Sequence, residues 1–352
     1  MIVRQLSRGV RTLLYYSGFA MAGLVIQKMS HNCTILLYHG VSSTSEKGNY
    51  FGGAAFIPRD TFERQICYLK ANFHILSLRD VITKLESGTE LPCGSVVITF
   101  DDGYRDNFTC AYPILKRLDI PFTVFITTNF INNQKVPWWL RLEDFLDSYR
   151  GKLVVSGDSA ERTYDLSGLI ERYRLYRHAR SAILSMTLEE REDFLEHLET
   201  KAGVTRNLEN RRFMSWEEVR LLAADPLVEI GSHTISHPVV ANLCNGELHD
   251  EIAGSKQFIE NKLGLPIVSF SYPYGQRTHY SQDTIAELRE SGYSCAVTGV
   301  EAINGSGANL YEMHRIWIER DDTWPIFISK IVGLGAFVRS VRTRFSVPLF
   351  RK

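Results

Sequence analysis

Short apolar runs alternate with amphipathic stretches over most of the chain. Thr34-Ile35-Leu36-Leu37-Tyr38 is the kind of near-continuous apolar run expected of a strand covered on both faces, and it ends at His39-Gly40. Asp60 and Glu63 predict a helix start, with Phe62, Ile66 and Leu69 as its apolar face. Leu76-Ser77-Leu78 leads into a second helix over about 79–88. Val96 to Phe100 is the next strand, 112–118 a helix and Phe122 to Ile126 a strand. After an interruption the pattern resumes with a helix over 216–224, opened by the Ser215/Glu218 capping box, and a strand over 228–230. A helix over 247–262 stopped by Gly264, a strand over 267–272, a helix over 282–291 and strands over 295–298 and 314–318 complete it.

Strand, helix, strand alternation implies an α/β fold with a parallel sheet or a β/α barrel, and about seven core strands come close to what a barrel requires. From about residue 131 to 212 the alternation stops. Amphipathic helices replace it, over 138–149, over 166–176 and after the Thr187/Glu190 capping box. This stretch reads as a helical insertion that would serve as a lid or partner surface. The expected organisation is a basic amphipathic segment over 1–30, a barrel over 31–325 carrying the insertion, and a second basic amphipathic segment over 326–352.

The two ends share a pattern. Arg4, Arg8 and Arg11 precede an apolar stretch, Leu13 to Ile26, that is broken by Ser17, Gly18 and Gly23 and is too short to span a bilayer comfortably. A helix lying on a membrane surface and a helix packed on the outside of the domain fit it equally well. At the other end Ile331, Leu334, Phe337, Val341 and Phe345 lie among Lys330, Arg339, Arg342 and Arg344. Two such ends favour peripheral membrane contact. Forty basic and forty acidic residues cancel, so no overall field draws the chain to nucleic acid. Six scattered cysteines without a CxxC pair read as free thiols of a reducing compartment, which gives a cytoplasmic location, peripheral at the membrane.

The polar clusters that carry chemistry all follow strands: His39, Asp101-Asp102, Thr127-Thr128-Asn129, Ser232-His233 and Pro273-Tyr274. In a parallel barrel those positions share one rim. Adjacent carboxylates resist joint ionisation unless something positive lies near them. His233 and His237, four apart, supply two imidazoles, and Pro238 disfavours a helix at His237, so both belong on a tight turn. One carboxylate with two histidines leaves an open position, as a catalytic zinc site needs. A metal lowers the pKa of a bound water from about 16 toward about 7, and the second carboxylate stands where it can take the proton. Trp138, Trp139, Trp317 and the Tyr274 ring are aromatic surfaces suited either to sugar rings or to packing.

Thr99-Phe100-Asp101-Asp102-Gly103, His233-Thr234-Ile235-Ser236-His237-Pro238 and Ser271-Tyr272-Pro273-Tyr274-Gly275 resemble, in that order, the motifs of the polysaccharide deacetylases of carbohydrate esterase family 4, the NodB-homology group. Leu37-Tyr38-His39-Gly40-Val41 is similar to the start of the subgroup acting on polymeric or lipid-linked N-acetylated amino sugars. The resemblance spans about 34–322 without the insertion. It implies a distorted (β/α) barrel and a metal-dependent N-deacetylase whose partner is a carbohydrate. Asp101 would be the general base; Asp102, His233 and His237 would hold zinc or a similar divalent ion; the Tyr274 N–H would stabilise the oxyanion. Ser271 stands where much of the family has an arginine, so the group that would orient Asp101 is missing or comes from elsewhere. The proton donor is open between His314, near the family's usual place, and His39, at the end of the first strand. Deformylation or another amidase reaction on a related sugar, and carbohydrate binding by a pseudoenzyme, are the alternative functions.

Overall fold

The structure is a computed structural model that describes residues 2–42, 55–156, 161–203 and 212–335. Seven parallel strands form its centre: β1 (Cys33–Tyr38), β2 (Ser95–Phe100), β3 (Phe122–Ile126), β4 (Val228–Ser232), β5 (Ser269–Ser271), β6 (Cys295–Val297) and β7 (Arg315–Trp317). Their order across the sheet is β6-β5-β4-β3-β2-β1-β7, with His74–Ile75 added beside the start of β2. The sheet curls until its ends nearly meet. At the seam Met313 donates to Ala296 O at 3.0 Å and Thr298 N donates to Met313 O at 2.7 Å. The expected α/β barrel is therefore present, strained into an irregular outline by very short β5, β6 and β7.

The hydrophobic pattern explains the two faces of β2. Val96, Ile98 and Phe100 turn outward into the main core beneath the helices, whereas Val97 belongs to the cluster that also holds Ile35 and Phe125. Strand alternation carries Thr99 and Asp101 onto the face of Val97. The Ser215/Glu218 and Thr187/Glu190 capping boxes form as expected. Asp60 and Glu63 do not make one: that helix runs Arg59–Asn72 and starts at Pro58 without a side-chain cap. The expected helix over 247–262 contains a π-helical turn, Asp250–Gly254, between Asn245–His249 and Ser255–Leu263.

The insertion leaves the barrel after β3 and returns before β4, two adjacent strands, so it stands over the rim where both end. It is not purely helical. Lys152–Ser156 and Glu161–Asp165 pair as antiparallel strands between the helices Trp138–Ser148, Leu169–Ile183 and Leu188–Ala202. The insertion has its own core, including Trp138, Phe145, Leu153, Tyr164, Leu175 and Leu195. Buried Arg141 ties its helices by donating to both carboxylate oxygens of Glu199, at 2.6 and 2.9 Å.

At the N-terminus the expected single helix is two, Ile2–Tyr16 and Phe19–Met29, bent by 81°. Leu14, Ala20 and Leu24 are buried, while Leu13, Tyr16, Phe19, Ile26 and Met29 are exposed. Among the described residues no single helix is long and apolar enough to cross a membrane. The helix Trp324–Ile331 straddles the expected boundary at 325/326 and buries Ile326, Phe327, Ile328 and Ile331, so it is part of the barrel's packing. The basic C-terminal stretch beyond 335, with Phe337, Val341 and Phe345, lies outside the described residues.

Candidate active site

Asp101 and Asp102 are both buried, each only 3% exposed, yet they meet opposite surroundings. Arg315 of β7 donates to both oxygens of Asp101, at 2.7 and 2.6 Å, and also to Ser271 Oγ at 2.8 Å. Ser271 Oγ in turn donates to Asp101 at 3.1 Å. Burial pushes the Asp101 carboxyl up, but Arg315, with help from His233 and His39, overcomes this and holds it well below the usual carboxylate range. The orienting arginine that Ser271 displaces from β5 is thus supplied from β7. Its only trace in the sequence is a charged residue among the apolar residues of a short strand.

Asp102 swings the other way. It sits at φ 74°, outside the usual range for a residue with a side chain, and its Oδ1 lies 3.6 Å from His233 Nε2 and 3.5 Å from His237 Nε2. Ligand atoms bound at about 2.1 Å around a tetrahedral ion stand about 3.4 Å apart. The donor atoms of Asp102, His233 and His237 all lie within 4.8 Å of one another. His233 Nδ1 lies 2.6 Å from Ser271 O, a carbonyl that can only accept, so the proton is on Nδ1 and the Nε2 lone pair faces the cluster.

Several residues fix the histidine loop. His233 N donates to Ile126 O and Thr127 Oγ1 to His233 O, both at 2.9 Å. The π-helical turn aims buried Glu251 at the same loop, where its carboxylate accepts from Ile235 N at 2.7 Å and Ser236 N at 2.9 Å. A second π-helical turn, Asn107–Ala111, places Asn107 so that its Nδ2 donates to His39 O at 2.6 Å. Neither Glu251 nor Asn107 is legible as a site residue from periodicity. Positive φ at Asp102, Thr234, His237 and Tyr274 concentrates backbone strain here, as functional sites often do.

The electrostatics fit a cation. Burial and then the Asp101 charge raise the Asp102 carboxyl well above its ordinary value, and its buried Oδ1 has no hydrogen-bond partner among the described residues. Burial lowers His233, and lowers His237 further, so both rings are held neutral, the form a metal ligand requires. A divalent ion would restore the charge that this carboxylate lacks.

The remaining expected residues separate. Tyr274, at φ 61°, occupies a turn that Gly275 makes possible: a Cβ on Gly275 would lie 2.2 Å from Gly299 N. The Tyr274 ring packs 4.7 Å from His237, centroid to centroid, and its hydroxyl accepts from Trp138 Nε1 at 2.9 Å. Trp139 lies edge-on to His237 at 5.1 Å and donates to Tyr104 OH. The tryptophan pair therefore walls the site from the insertion, with Trp138 in its core. His39 stands on the rim, 5.5 Å from the exposed Trp317 ring. Burial lowers it to about 4, against the pull of Asp101. His314 stands elsewhere. Ile35 pairs with Arg315, so His314 is level with Thr34, five residues or roughly 16 Å along the strands from His39. It lines a separate cavity with Arg277, Asn304 and Glu312. A position just before a strand cannot share the rim reached by residues just after one.

The model of the polysaccharide deacetylase family matches residues 88–296. The chain belongs to that family. Its relatives among the deacetylases include YxkH of Bacillus subtilis, described as a polysaccharide deacetylase, which is 21% identical over 309 residues, 88% of this chain and 76% of the relative. A poly-beta-1,6-N-acetyl-D-glucosamine N-deacetylase of Staphylococcus epidermidis is 40% identical over 73 residues, 20% of this chain and 25% of that enzyme. The Streptococcus pyogenes deacetylase PplD, solved in complex with acetate, superposes with a TM-score of 0.57 at 18% identity, covering 85% of this chain and 98% of that one. IcaB from Ammonifex degensii gives 0.54 at 21% identity, covering 86% and 97%. A polysaccharide deacetylase is a hydrolase of N-acetyl amide bonds. The family match stops short of β1 and β7, so His39 and Arg315 lie outside it.

Proposed function

We propose that this deacetylase is metal-dependent and removes the N-acetyl group from an amino sugar of a polysaccharide or lipid-linked glycan. Asp102, His233 and His237 would hold the divalent ion, with zinc the natural occupant of one carboxylate and two imidazoles. Once bound, such an ion supplies Lewis acidity and lowers the pKa of a water toward neutrality. Asp101 takes the proton of the attacking water; its carboxylate offers about four lone-pair sites, so the Arg315 fork leaves acceptor capacity. The Tyr274 N–H donates to the oxyanion that forms on the acyl carbon. His39, neutral at rest, relays the proton that Asp101 takes from the water to the departing nitrogen as the C–N bond breaks, leaving a free amine on the sugar and releasing acetate. Its place on the rim supports His39 over His314 for that step.

The observation that carries this reading is the division of two neighbouring carboxylates. Both Asp101 oxygens face a guanidinium, whereas Asp102 Oδ1 faces two imidazoles. The test is acetate release from N-acetylated amino-sugar polymers and lipid-linked amino sugars, with metal content measured by elemental analysis. Asp101→Asn is expected to lose about 10²- to 10⁴-fold in turnover while keeping its metal. Full activity in that variant removes the base, and preferential release of formate from N-formylated counterparts replaces the acetyl group as the target.

A further inference from the structure

Beside the candidate metal cluster, separated from it by one side chain, is a cavity of about 330 Å³. That side chain is Tyr104. Its hydroxyl accepts from Trp139 Nε1 at 2.9 Å and helps hold down the proton affinity of Asp102, while its ring forms part of the cavity wall. Arg105, Arg212 and Arg320 line the same cavity, with Phe56 and Asp106. The three arginines come from separate parts of the chain: the loop after β2, the end of the insertion and the segment after β7. All three are half-buried, and Arg105 N donates to Arg212 O at 2.8 Å, which fixes two of these segments together. Arg105 commits its Nε to Glu218 at 2.8 Å, and Arg212 reaches Asp144 only at 3.4 Å. A guanidinium has five donors in a rigid fork, so the pairings of Arg105 and Arg212 leave donors over, while Arg320, which has a partner of its own, adds its charge. Asp106, the one acid lining the cavity among the described residues, weakens at the same time: burial raises it to about 7, against a backbone hydrogen bond from Val41.

Resting on the deacetylase reading, we propose that this cavity binds an oxyanion carried by the substrate, a phosphate in preference to a carboxylate, next to the acetamido sugar being hydrolysed. A volume near 330 Å³ holds a substituted sugar unit, the half-buried Phe56 ring adds apolar surface to its wall, and three arginines suit the higher charge of a phosphate. The substrate class is thus an anionic, phosphate-bearing N-acetylated glycan, and the cavity selects it over a neutral polymer.

The test compares kcat/KM for a β-linked N-acetylglucosamine oligomer with that for the same oligomer bearing a phosphate monoester or a carboxylate on the neighbouring sugar. The wild-type protein is expected to favour the phosphorylated oligomer by about tenfold or more, with the carboxylated one between. The Arg212→Gln/Arg320→Gln double variant should bring the phosphorylated-to-neutral ratio close to one. The Arg212→Lys/Arg320→Lys variant should restore part of it, and unfolding midpoints establish that both variants fold. Equal rates on neutral and phosphorylated oligomers, or a ratio unmoved in the Gln variant, would overturn the proposal; a preference for the carboxylated oligomer would overturn the choice of phosphate. Absence of acetate from every oligomer would defeat the deacetylase reading instead. Calorimetric binding of the same oligomers to Asp101→Asn protein then still decides the cavity by the same ratio.

Discussion

The barrel rim and the insertion both touch the candidate metal cluster, but they do so with different kinds of contact. The rim supplies every candidate donor atom and the ion pair behind them: Asp101 and Asp102 after β2, His233 and His237 after β4, Ser271 at the end of β5 and Arg315 in β7. The insertion supplies ring edges. Trp139 lies against His237 and Trp138 reaches Tyr274, yet both belong to elements whose packing is largely independent of the barrel core. Parallel strands tied by backbone ladders can hold donor atoms to within tenths of an ångström. A separately packed subdomain adds shape and dryness around them. If this division is right, rim substitutions should abolish function and insertion substitutions should only adjust it.

The largest effect is expected at the donor set. Asp102→Ala or His233→Ala should empty the site and cut acetate release by at least about 10³-fold, the scale of removing a principal electrostatic stabiliser. Elemental analysis is the direct check; retained stoichiometric metal in either variant would break the comparison at its root. Arg315→Gln comes next. It leaves Asp101 buried without its cation, which should cost about 3–5 kcal/mol of stability, read by denaturant unfolding. A purely structural role would stop there. As a positioning residue Arg315 also keeps Asp101 ionised, so its loss raises the proton affinity of that carboxyl and moves the acid limb of the activity profile to higher pH.

The sequence made the rim legible and left its supports dark. Strand runs such as 34–38, 96–100 and 122–126 have one reading, and polar residues after them must share a face, which is why the sequence alone brings the Asp-Asp and His-x-x-x-His pairs together. Arg315 was hidden because its partner is more than two hundred residues away; burial in a short strand was the one clue, since a buried charge needs a partner. His314 misled for a related reason: proximity in sequence to a strand does not say which end of it. Glu251 and Asn107 were invisible because a π-helical turn arises from packing and leaves no mark on a 3.6-residue pattern. In the insertion, the paired strands Lys152–Ser156 and Glu161–Asp165 do not show in the pattern beside the three helices that flank them.

Glu251 sharpens the comparison because it lies on the barrel side and holds the histidine loop, through two backbone N–H groups and the Ser236 hydroxyl, without touching the donor atoms of His233 or His237. Glu251→Gln keeps the shape and removes the charge that accepts from Ile235 N and Ser236 N. Loss of support one step behind a ligand typically lowers metal affinity about 10- to 100-fold, so this variant should fall between the ligand variants and any change in the insertion. Competition with a chelator of known affinity measures it.

The smallest effect belongs to Trp139, and it tests the insertion alone. Its edge contact with His237, together with the bond to Tyr104, gives the ring a place in the wall without making it a ligand or a charge. An aromatic contact of this kind contributes about 0.5–1.5 kcal/mol, so Trp139→Leu should weaken metal binding by about two- to tenfold and leave the metal stoichiometry at saturation unchanged. A loss as large as that of the ligand variants would mean that the insertion sets the position of His237, and the rim would no longer be sufficient to build the site.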